Sequence, residues 1–415
     1  MKIFINLLNN RYTEKMKNFL RVNYGSTVHG KDEVKAVVNV LNNSTQMGKN
    51  VSQFEIKIAK IFKKKYGVMT NSGTSALLLA IEAMDFKKNS EIITPALTFG
   101  TTVGSIVKNN LIPVFVDVKL NTLCIDEDKI EEKITKNTRA ILAPDLIGNV
   151  CNWLKISKIA KKYKLTVIQD SADTLGATIN GKSSGFYSDL SITSFYGSHI
   201  INGAGNGGML CTSNLNIFNK TKVLRSWGRS SSLFSNSESI ENRFNTKIDN
   251  ISYDKKFIFE AIGYQLEPSE ISAAFALVQL KKLKSNIRTR QKNFILHYNF
   301  FAKYKNFFNL PIEEKKVRTA WLAYPVLIKQ NKFFTRTDLQ IFLEKRNIQT
   351  RVIFTGNILR QPGFKNIKCI GKPGDFPVSD EIMKYGMLIG CHHGLNKKHI
   401  SHIHNSINIF LKNFI

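Results

Sequence analysis

The sequence predicts an α/β protein in which a mostly parallel sheet is covered on both faces and a smaller C-terminal α/β domain follows. Three observations carry this. Between about residues 51 and 214 short apolar runs bounded by turn residues alternate with helical segments, and strand–helix–strand alternation produces a parallel sheet with helices on both sides. After about residue 287 the alternation restarts with a different texture. The chain has 415 residues, 43% of them hydrophobic and 22% charged, the balance of a soluble globular protein with room for two or three domains of roughly 150 residues. The expected division is 1–286, a large domain with an N-terminal arm, and 287–415, a small one.

Ser52 and Glu55 have capping-box spacing and open an amphipathic helix that carries Phe54, Ile58, Ile61 and Phe62. Apolar runs at 92–94, 112–118, 140–143, 165–168, 192–195 and 209–211 read as strands, and 77–84 and 156–163 as helices between them. The Ser- and Asn-rich segment 230–250 reads as a long loop. A helix is expected over 267–283, with Pro268 in its first turn. In the C-terminal part 321–328 and 350–353 are strand-like, 337–346 is helical, and a last helix starts near Lys397.

Composition excludes several function classes. No apolar run approaches the roughly 18 residues of a membrane span. Met1–Asn9 is apolar but short, and Arg11, Glu14 and Lys15 follow it without a small-residue cleavage site, so secretion is not expected. Cys124, Cys151, Cys211, Cys369 and Cys391 are scattered and form no C-x-x-C pair, which points to a reducing, cytoplasmic setting. The formal charge of +29 invites a nucleic-acid reading. The cations are mostly Lys spread along a chain also heavy in Asn and Ile, however, and no nucleic-acid-binding motif accompanies them, so no nucleic-acid partner is expected.

Three motifs carry chemistry. Asn71-Ser72-Gly73-Thr74-Ser75-Ala76 runs into a helix, and free amides at a helix N-terminus beside hydroxyls suit a phosphate, although such a turn alone is usually only a cap. Asp170 ends an apolar strand, where open α/β sheets bind ligands; its bland reading is an N-cap. Ser194, Tyr196, Gly197 and His199 close another strand ahead of the turn Gly203-Ala204-Gly205-Asn206-Gly207-Gly208. That Gly run does not follow a first strand, so it is no dinucleotide fingerprint.

Together the order and spacing of these motifs resemble the DegT/DnrJ/EryC1/StrS family of sugar aminotransferases, pyridoxal-phosphate enzymes of fold type I with a three-layer, mostly parallel sheet. The resemblance runs from Gly48 to the final helix. It implies pyridoxal 5'-phosphate or pyridoxamine 5'-phosphate as cofactor. The family's S-G-T-x-A-L phosphate turn stands as Ser72-Gly73-Thr74-Ser75-Ala76-Leu77, which assigns Gly73, Thr74 and Ser75 to the cofactor phosphate. Phe99, in Pro95-Ala96-Leu97-Thr98-Phe99, matches the aromatic that stacks on the pyridine ring, Asp170 the acid that pairs with its nitrogen, and Ser194 a phosphate contact. Gln265 in Gly263-Tyr264-Gln265 replaces an Asn that reaches the phosphate from the partner subunit, and Gly205-Asn206-Gly207-Gly208 replaces G-E-G-G.

The main departure is His199, which stands where the family has its Schiff-base Lys; no Lys occurs between Lys182 and Lys220. Imidazole cannot form an imine but titrates near ~6.5 and can move protons. This substitution resembles the family's sugar 3-dehydratase subgroup. So do Asp173, where sugar aminotransferases commonly have His, Arg225-Ser226-Trp227-Gly228-Arg229, and the stretch Thr350-Arg351-Val352-Ile353-Phe354-Thr355-Gly356-Asn357-Ile358-Leu359-Arg360-Gln361-Pro362. The resemblance implies that Arg351, Arg360, Asn357, Trp227 and Arg229 serve the substrate, the arginines suiting a carboxylate or a diphosphate. The subgroup's CDP-sugar branch holds a [2Fe–2S] centre through cysteines after W-G-R; residues 230–250 contain none, so the cluster-free branch is implied.

The activity implied is a 3-dehydratase. It would remove the C3 hydroxyl of a nucleotide-linked 4-keto-6-deoxyhexose, with His199 as the proton-moving group and pyridoxamine phosphate regenerated from glutamate, in deoxysugar or polysaccharide biosynthesis. A homodimer with its site at the subunit interface is expected. The alternatives are a nucleotide-sugar aminotransferase-like enzyme and a non-catalytic cofactor-binding regulator. His392, His393, His399, His402 and His404 lack acidic or Cys partners at ligand spacing and read as surface histidines, with no metal expected.

Overall fold

A computed structural model describes residues 19–234 and 238–414. Residues 1–18 of the N-terminal arm, Met1–Asn9 among them, and residues 235–237 of the expected loop lie outside the described residues.

The first part of the chain builds helices α1 (Lys31–Leu41), α2 (Lys49–Ile61), α3 (Gly73–Ala83), α4 (Gly100–Lys108), α5 (Trp153–Tyr163) and α6 (Leu215–Arg225) around seven strands. These are β1 (Tyr66–Thr70), β2 (Glu91–Pro95), β3 (Ile112–Val116), β4 (Thr138–Pro144), β5 (Thr166–Asp170), β6 (Leu190–Ser194) and β7 (Gly208–Thr212), in the order β1-β7-β6-β5-β4-β2-β3. The sheet is parallel except where β7 runs against both β1 and β6. Alternate residues face opposite layers. Leu210 of β7 joins Ala76, Ala80 and Ile217 under α3 and α6, whereas Met209 and Cys211 join Phe54, Ile58 and Ala276 on the other side. The six expected strands are all present. β1 is not announced by the sequence, because Gly67 separates Tyr66 from the short apolar pair Val68-Met69.

Three expectations need correction. Helix α2 starts at Lys49, not after Ser52. The Glu270 carboxylate, more than 200 positions away in the chain, accepts the amides of Gly48, Asn50 and Val51 and caps it, while Glu55 accepts Met69 N–H and pairs with Arg225. The helix expected over 267–283 is α7 (Glu270–Phe301), capped by Ser269, so Pro268 precedes it. It runs on because its two halves bury different faces, Ala273, Ala276 and Leu283 in the first core and Phe294, Phe300 and Phe301 in the C-terminal one; the boundary expected at 286/287 falls inside it. The segment 230–250 is not simply a loop: it contains a helix at Ile240–Phe244 and enters a hairpin of Thr246–Ile248 with Ile251–Tyr253.

The C-terminal part contains strands β8 (Phe308–Asn309), β9 (Ala323–Ile328), β10 (Thr350–Val352) and β11 (Gly386–Gly390) in the order β8-β9-β11-β10. Helices α8 (Arg336–Lys345), α9 (Pro377–Tyr385) and α10 (Lys397–Leu411) pack on it. Here the histidines depart from the surface reading. His392 is buried, and its Nε2 lies 3.1 Å from Asn23 O. His404 stacks on Phe300 at 4.1 Å and meets His297 at 3.1 Å, and His402 Nε2 lies 2.8 Å from Arg346 O. They fill gaps between helices that no local pattern announces. No described helix is long and apolar enough to cross a membrane.

Candidate active site

Parallel strands bring their carboxyl ends to one edge, and the register then decides which ends are neighbours. Thr70 pairs with Gly208 and Gly208 with Ser194, in one row across β1, β7 and β6; Pro144 pairs with Asp170 and Asp170 with Ile192. All three sequence motifs therefore open on one cavity of about 340 Å³, a size that suits a small-molecule ligand.

The floor is a glycine-permitted close approach. Ser72 caps α3, its Oγ accepting Ser75 N–H at 3.1 Å, and Ser75 Oγ donates to Asn71 Oδ1 at 2.6 Å. A Cβ at Gly73 would lie 2.9 Å from Ser194 Cβ, and one at Gly208 would lie 2.2 Å from Ser72 O. Only glycines let the helix N-terminus, Ser194 and the Gly-rich turn converge. The first-turn amides of a helix have no intrahelical acceptor, so this cradle of N–H groups and hydroxyls fits a phosphate.

One wall is acidic. Asp170 is 5% exposed and accepts Thr102 Oγ1 at 3.1 Å and Ala172 N–H at 3.2 Å, with no cation in contact among the described residues. Burial pushes its carboxyl up to about 6, so it is short of a positive partner. A cationic group on a bound ligand would supply that charge.

His199 lines the same cavity. Its Nδ1 lies 3.2 Å from Ser194 O, an acceptor only, so Nδ1 carries the proton and Nε2 holds the free lone pair. Nε2 lies 3.8 Å from Asp173 Oδ1, and Asp173 Oδ2 accepts Ile147 N–H at 3.0 Å. Burial, helped by the nearby Arg290 charge, pulls the imidazole down to about 4; burial, then the Asp170 charge, pushes Asp173 up to about 7. The resting pair is a neutral base beside a carboxyl that titrates near neutrality. Among the described residues no Lys lines the cavity.

Of the expected site residues, Gly73, Thr74, Phe99, Asp170, Ser194 and His199 line the cavity. Ser75 is buried just behind, within the cap. Phe99 is half-exposed and meets the edge of Phe354 at 5.5 Å. The rest do not line it. Arg351 sits over the ring of Tyr24, a lining residue, at 5.7 Å. Arg360 is paired with Asp380 through two contacts of 2.5 Å. Asn357 is fully buried, and its amide donates to Pro373 O and Asp380 Oδ1; it organises the fold and meets no open space, because the long motif it belongs to is docked on the 95–99 loop (Thr355 Oγ1 to Thr98 O, 2.6 Å). Trp227, Arg229 and Gln265 form a separate exposed surface, where the Arg229 guanidinium covers the Trp227 ring at 4.2 Å and Trp227 N–H donates to Tyr264 O.

Sequence reasoning missed Tyr24, Asp145 and Phe354, which also line the cavity, and gave Asp173 no site role. Asp145 was findable: it follows β4 directly, as Asp170 ends β5. Both its oxygens are occupied, by Cys151 N–H, Trp153 Nε1, Gln169 Nε2 and Thr174 Oγ1.

Comparison with known proteins agrees with this geometry. The family model described as DegT/DnrJ/EryC1/StrS aminotransferase family matches residues 28–408. The lipopolysaccharide biosynthesis protein RfbH of Salmonella typhimurium is 31% identical over 91% of this chain and 88% of its own length. The GDP-4-keto-6-deoxy-D-mannose 3-dehydratase of Escherichia coli is 31% identical over 87% of this chain and 92% of its own. A crystal structure of GDP-4-keto-6-deoxymannose-3-dehydratase with a trapped PLP-glutamate geminal diamine superimposes with a TM-score of 0.82 at 28% identity, covering 93% of this chain and all of that one.

Proposed function

Because this chain belongs to the DegT/DnrJ/EryC1/StrS aminotransferase family, a family of pyridoxal-phosphate-dependent, sugar-modifying enzymes, we propose that it is a 3-dehydratase acting on a nucleotide-linked 4-keto-6-deoxyhexose. The reading rests on one observation: the base that faces the cavity is a neutral His199, in a pocket that no Lys lines among the described residues. The cofactor is pyridoxal 5'-phosphate in the resting state and pyridoxamine 5'-phosphate in the reacting one. When bound, it supplies an electron sink for charge that develops beside its amine.

The chain's own residues do the rest. The Ser72–Ser75 cap and Ser194 would hold the phosphate, Phe99 would pack on the ring, and the Asp170 carboxylate would keep the ring nitrogen protonated. His199 Nε2 takes a proton and returns it to the departing C3 hydroxyl, with Asp173 balancing the imidazolium charge at 3.8 Å. Across the cycle the sugar loses one oxygen as water and glutamate becomes a 2-oxo acid and ammonia, so electrons balance without an iron–sulfur centre.

The site is proposed to be completed by a second copy of the chain. Trp227, Arg229 and Gln265 stand outside their own cavity on a surface that exposes Ile251 (66%), Phe259 (60%) and Ile262 (97%), which a partner subunit would cover and whose polar residues it would use. Mass spectrometry of the product formed from a 4-keto-6-deoxy sugar nucleotide and glutamate tests the reaction. The expected product has one oxygen fewer than the substrate; a product that gains nitrogen and keeps its C3 oxygen overturns the reading in favour of an aminotransferase.

The cradle gives a further prediction. Gly208→Ala puts a methyl 2.2 Å from Ser72 O, and overpacking of this kind costs about 1–3 kcal/mol. The variant is expected to fold with reduced stability in urea and to lose most of its cofactor affinity, read by titration of the cofactor's absorbance.

A further inference from the structure

Arg290 lies on α7, the helix that enters both cores, and it is 0% exposed. Buried charges are ordinarily paired with an opposite charge, yet the five N–H groups of this guanidinium all go to uncharged acceptors. Nη2 donates to the carbonyls of Ser198 and His199, both at 3.1 Å. Nη1 donates to those of Trp321 at 3.2 Å and Leu322 at 3.0 Å. Nε donates to His393 Nδ1 at 3.2 Å. Three stretches distant in sequence therefore meet on one side chain: the turn that carries His199, the entry to β9 and the loop after β11. Ser198 and Leu322 themselves line the cavity.

We infer that Arg290 is a positioning residue for His199, whose planar fork fixes the Ser198 and His199 carbonyls against the C-terminal part so that the imidazole meets the cavity in one orientation. A Lys could not replace it: three rotatable donors on a point charge cannot hold four carbonyls and an imidazole in fixed directions. The charge adds a second effect. With no carboxylate among the described residues in contact to neutralise it, the guanidinium disfavours a proton on His199, in the same direction as burial. Burial brings Arg290 itself down to about 10, so it stays charged at neutral pH. The other titratable groups that face this pair are Asp173, which opposes the effect, Tyr24, Tyr196, Cys391, His392 and His393. The inference rests on His199 being the base.

Two variants of the full-length holoenzyme separate orientation from charge. Arg290→Lys keeps the charge and loses the fork: kcat is expected to fall at least about tenfold with KM within about twofold, because small misplacements of a catalytic group are costly. The His199 titration midpoint, followed by NMR on histidine labelled at Cε1 and assigned with His199→Asn, should stay at its wild-type value. Arg290→Gln loses both: kcat falls and the midpoint rises by about one pH unit. Wild-type kcat in Arg290→Lys, an unmoved midpoint in Arg290→Gln, or failure of both variants to fold would each overturn the inference, the last by making Arg290 a folding residue only. The titration needs no turnover, so a wild-type protein that fails to deoxygenate the sugar while the Arg290→Gln midpoint still shifts would sink the dehydratase reading and not the electrostatic link.

Discussion

His199→Asn is expected to lower turnover by about 10³-fold, within the range that a single proton-transferring group supplies, while cofactor affinity stays near wild type. The substitution is chosen on geometry. In the native turn Nδ1–H points at Ser194 O at 3.2 Å, and an Asn amide nitrogen can occupy that place and make the same bond, so the turn should keep its shape. What disappears is Nε2, the lone pair that faces the cavity and Asp173. Stopped turnover with retained binding fits the dehydratase; unchanged behaviour in every assay would instead fit a binding protein that uses the cofactor as a ligand. The pH profile gives an independent check. Because His199 is pulled down to about 4, it stays unprotonated through the neutral range, and the acid limb due to it should lie well below the ~6.5 of an ordinary imidazole. A limb near 7 in kcat/KM that vanishes in Asp173→Asn would belong to Asp173, which burial raises to about 7.

How far the site could be read from the sequence follows from which contacts are local. Ser72, Asp170, Ser194 and His199 were legible because Asp170 and Ser194 end strands, Ser72 and His199 lie in the turns just after strands, and a parallel sheet delivers strand ends to one edge; the row Thr70–Gly208–Ser194 then follows from register. Tyr24 and Arg290 were not, because each acts across the two cores from a segment that carries no motif. Helix α2 began three residues before its apparent capping box because its cap is Glu270, a tertiary partner. The hairpin after residue 245 did leave a trace. Asp249 and Asn250 both have positive φ, +48° and +68°, the two-residue turn that tight hairpins favour, but the surrounding Ser and Asn made the segment look uniformly loop-like. The 350–362 stretch behaves differently: its polar residues were assigned to ligand, and in the structure Asn357 is buried and bonded to Asp380 while the exposed Arg360 pairs with the same carboxylate.

Asp170→Asn carries the second large effect, through binding and turnover together. The native carboxylate has two neutral donors, Thr102 Oγ1 and Ala172 N–H, and burial holds it up at about 6. A ring that bears a proton on its nitrogen brings the missing charge, and the resulting hydrogen-bonded ion pair, buried and excluded from water, belongs to the stronger class of contact. The sign of the pH dependence follows. Above pH 6 the carboxylate is ionised and pairs with the protonated ring; below it the carboxyl gains a proton, loses its charge, and affinity falls. Cofactor affinity in the wild type should therefore drop as pH is lowered from 7 to 5, beyond the part due to the cofactor's own phosphate, and Asp170→Asn should show only that phosphate part. Turnover in the variant should fall by at least about 10²-fold, since a neutral amide cannot keep the ring nitrogen charged and a loss of buried charge stabilisation of about 2.7 kcal/mol is a hundredfold in rate. Calorimetric titration of the apo protein at several pH values, with wild type and variant side by side, checks the difference. Parallel affinity curves for the two proteins would mean that Asp170 does not meet the ring, and that its position at the end of β5 serves the sheet alone.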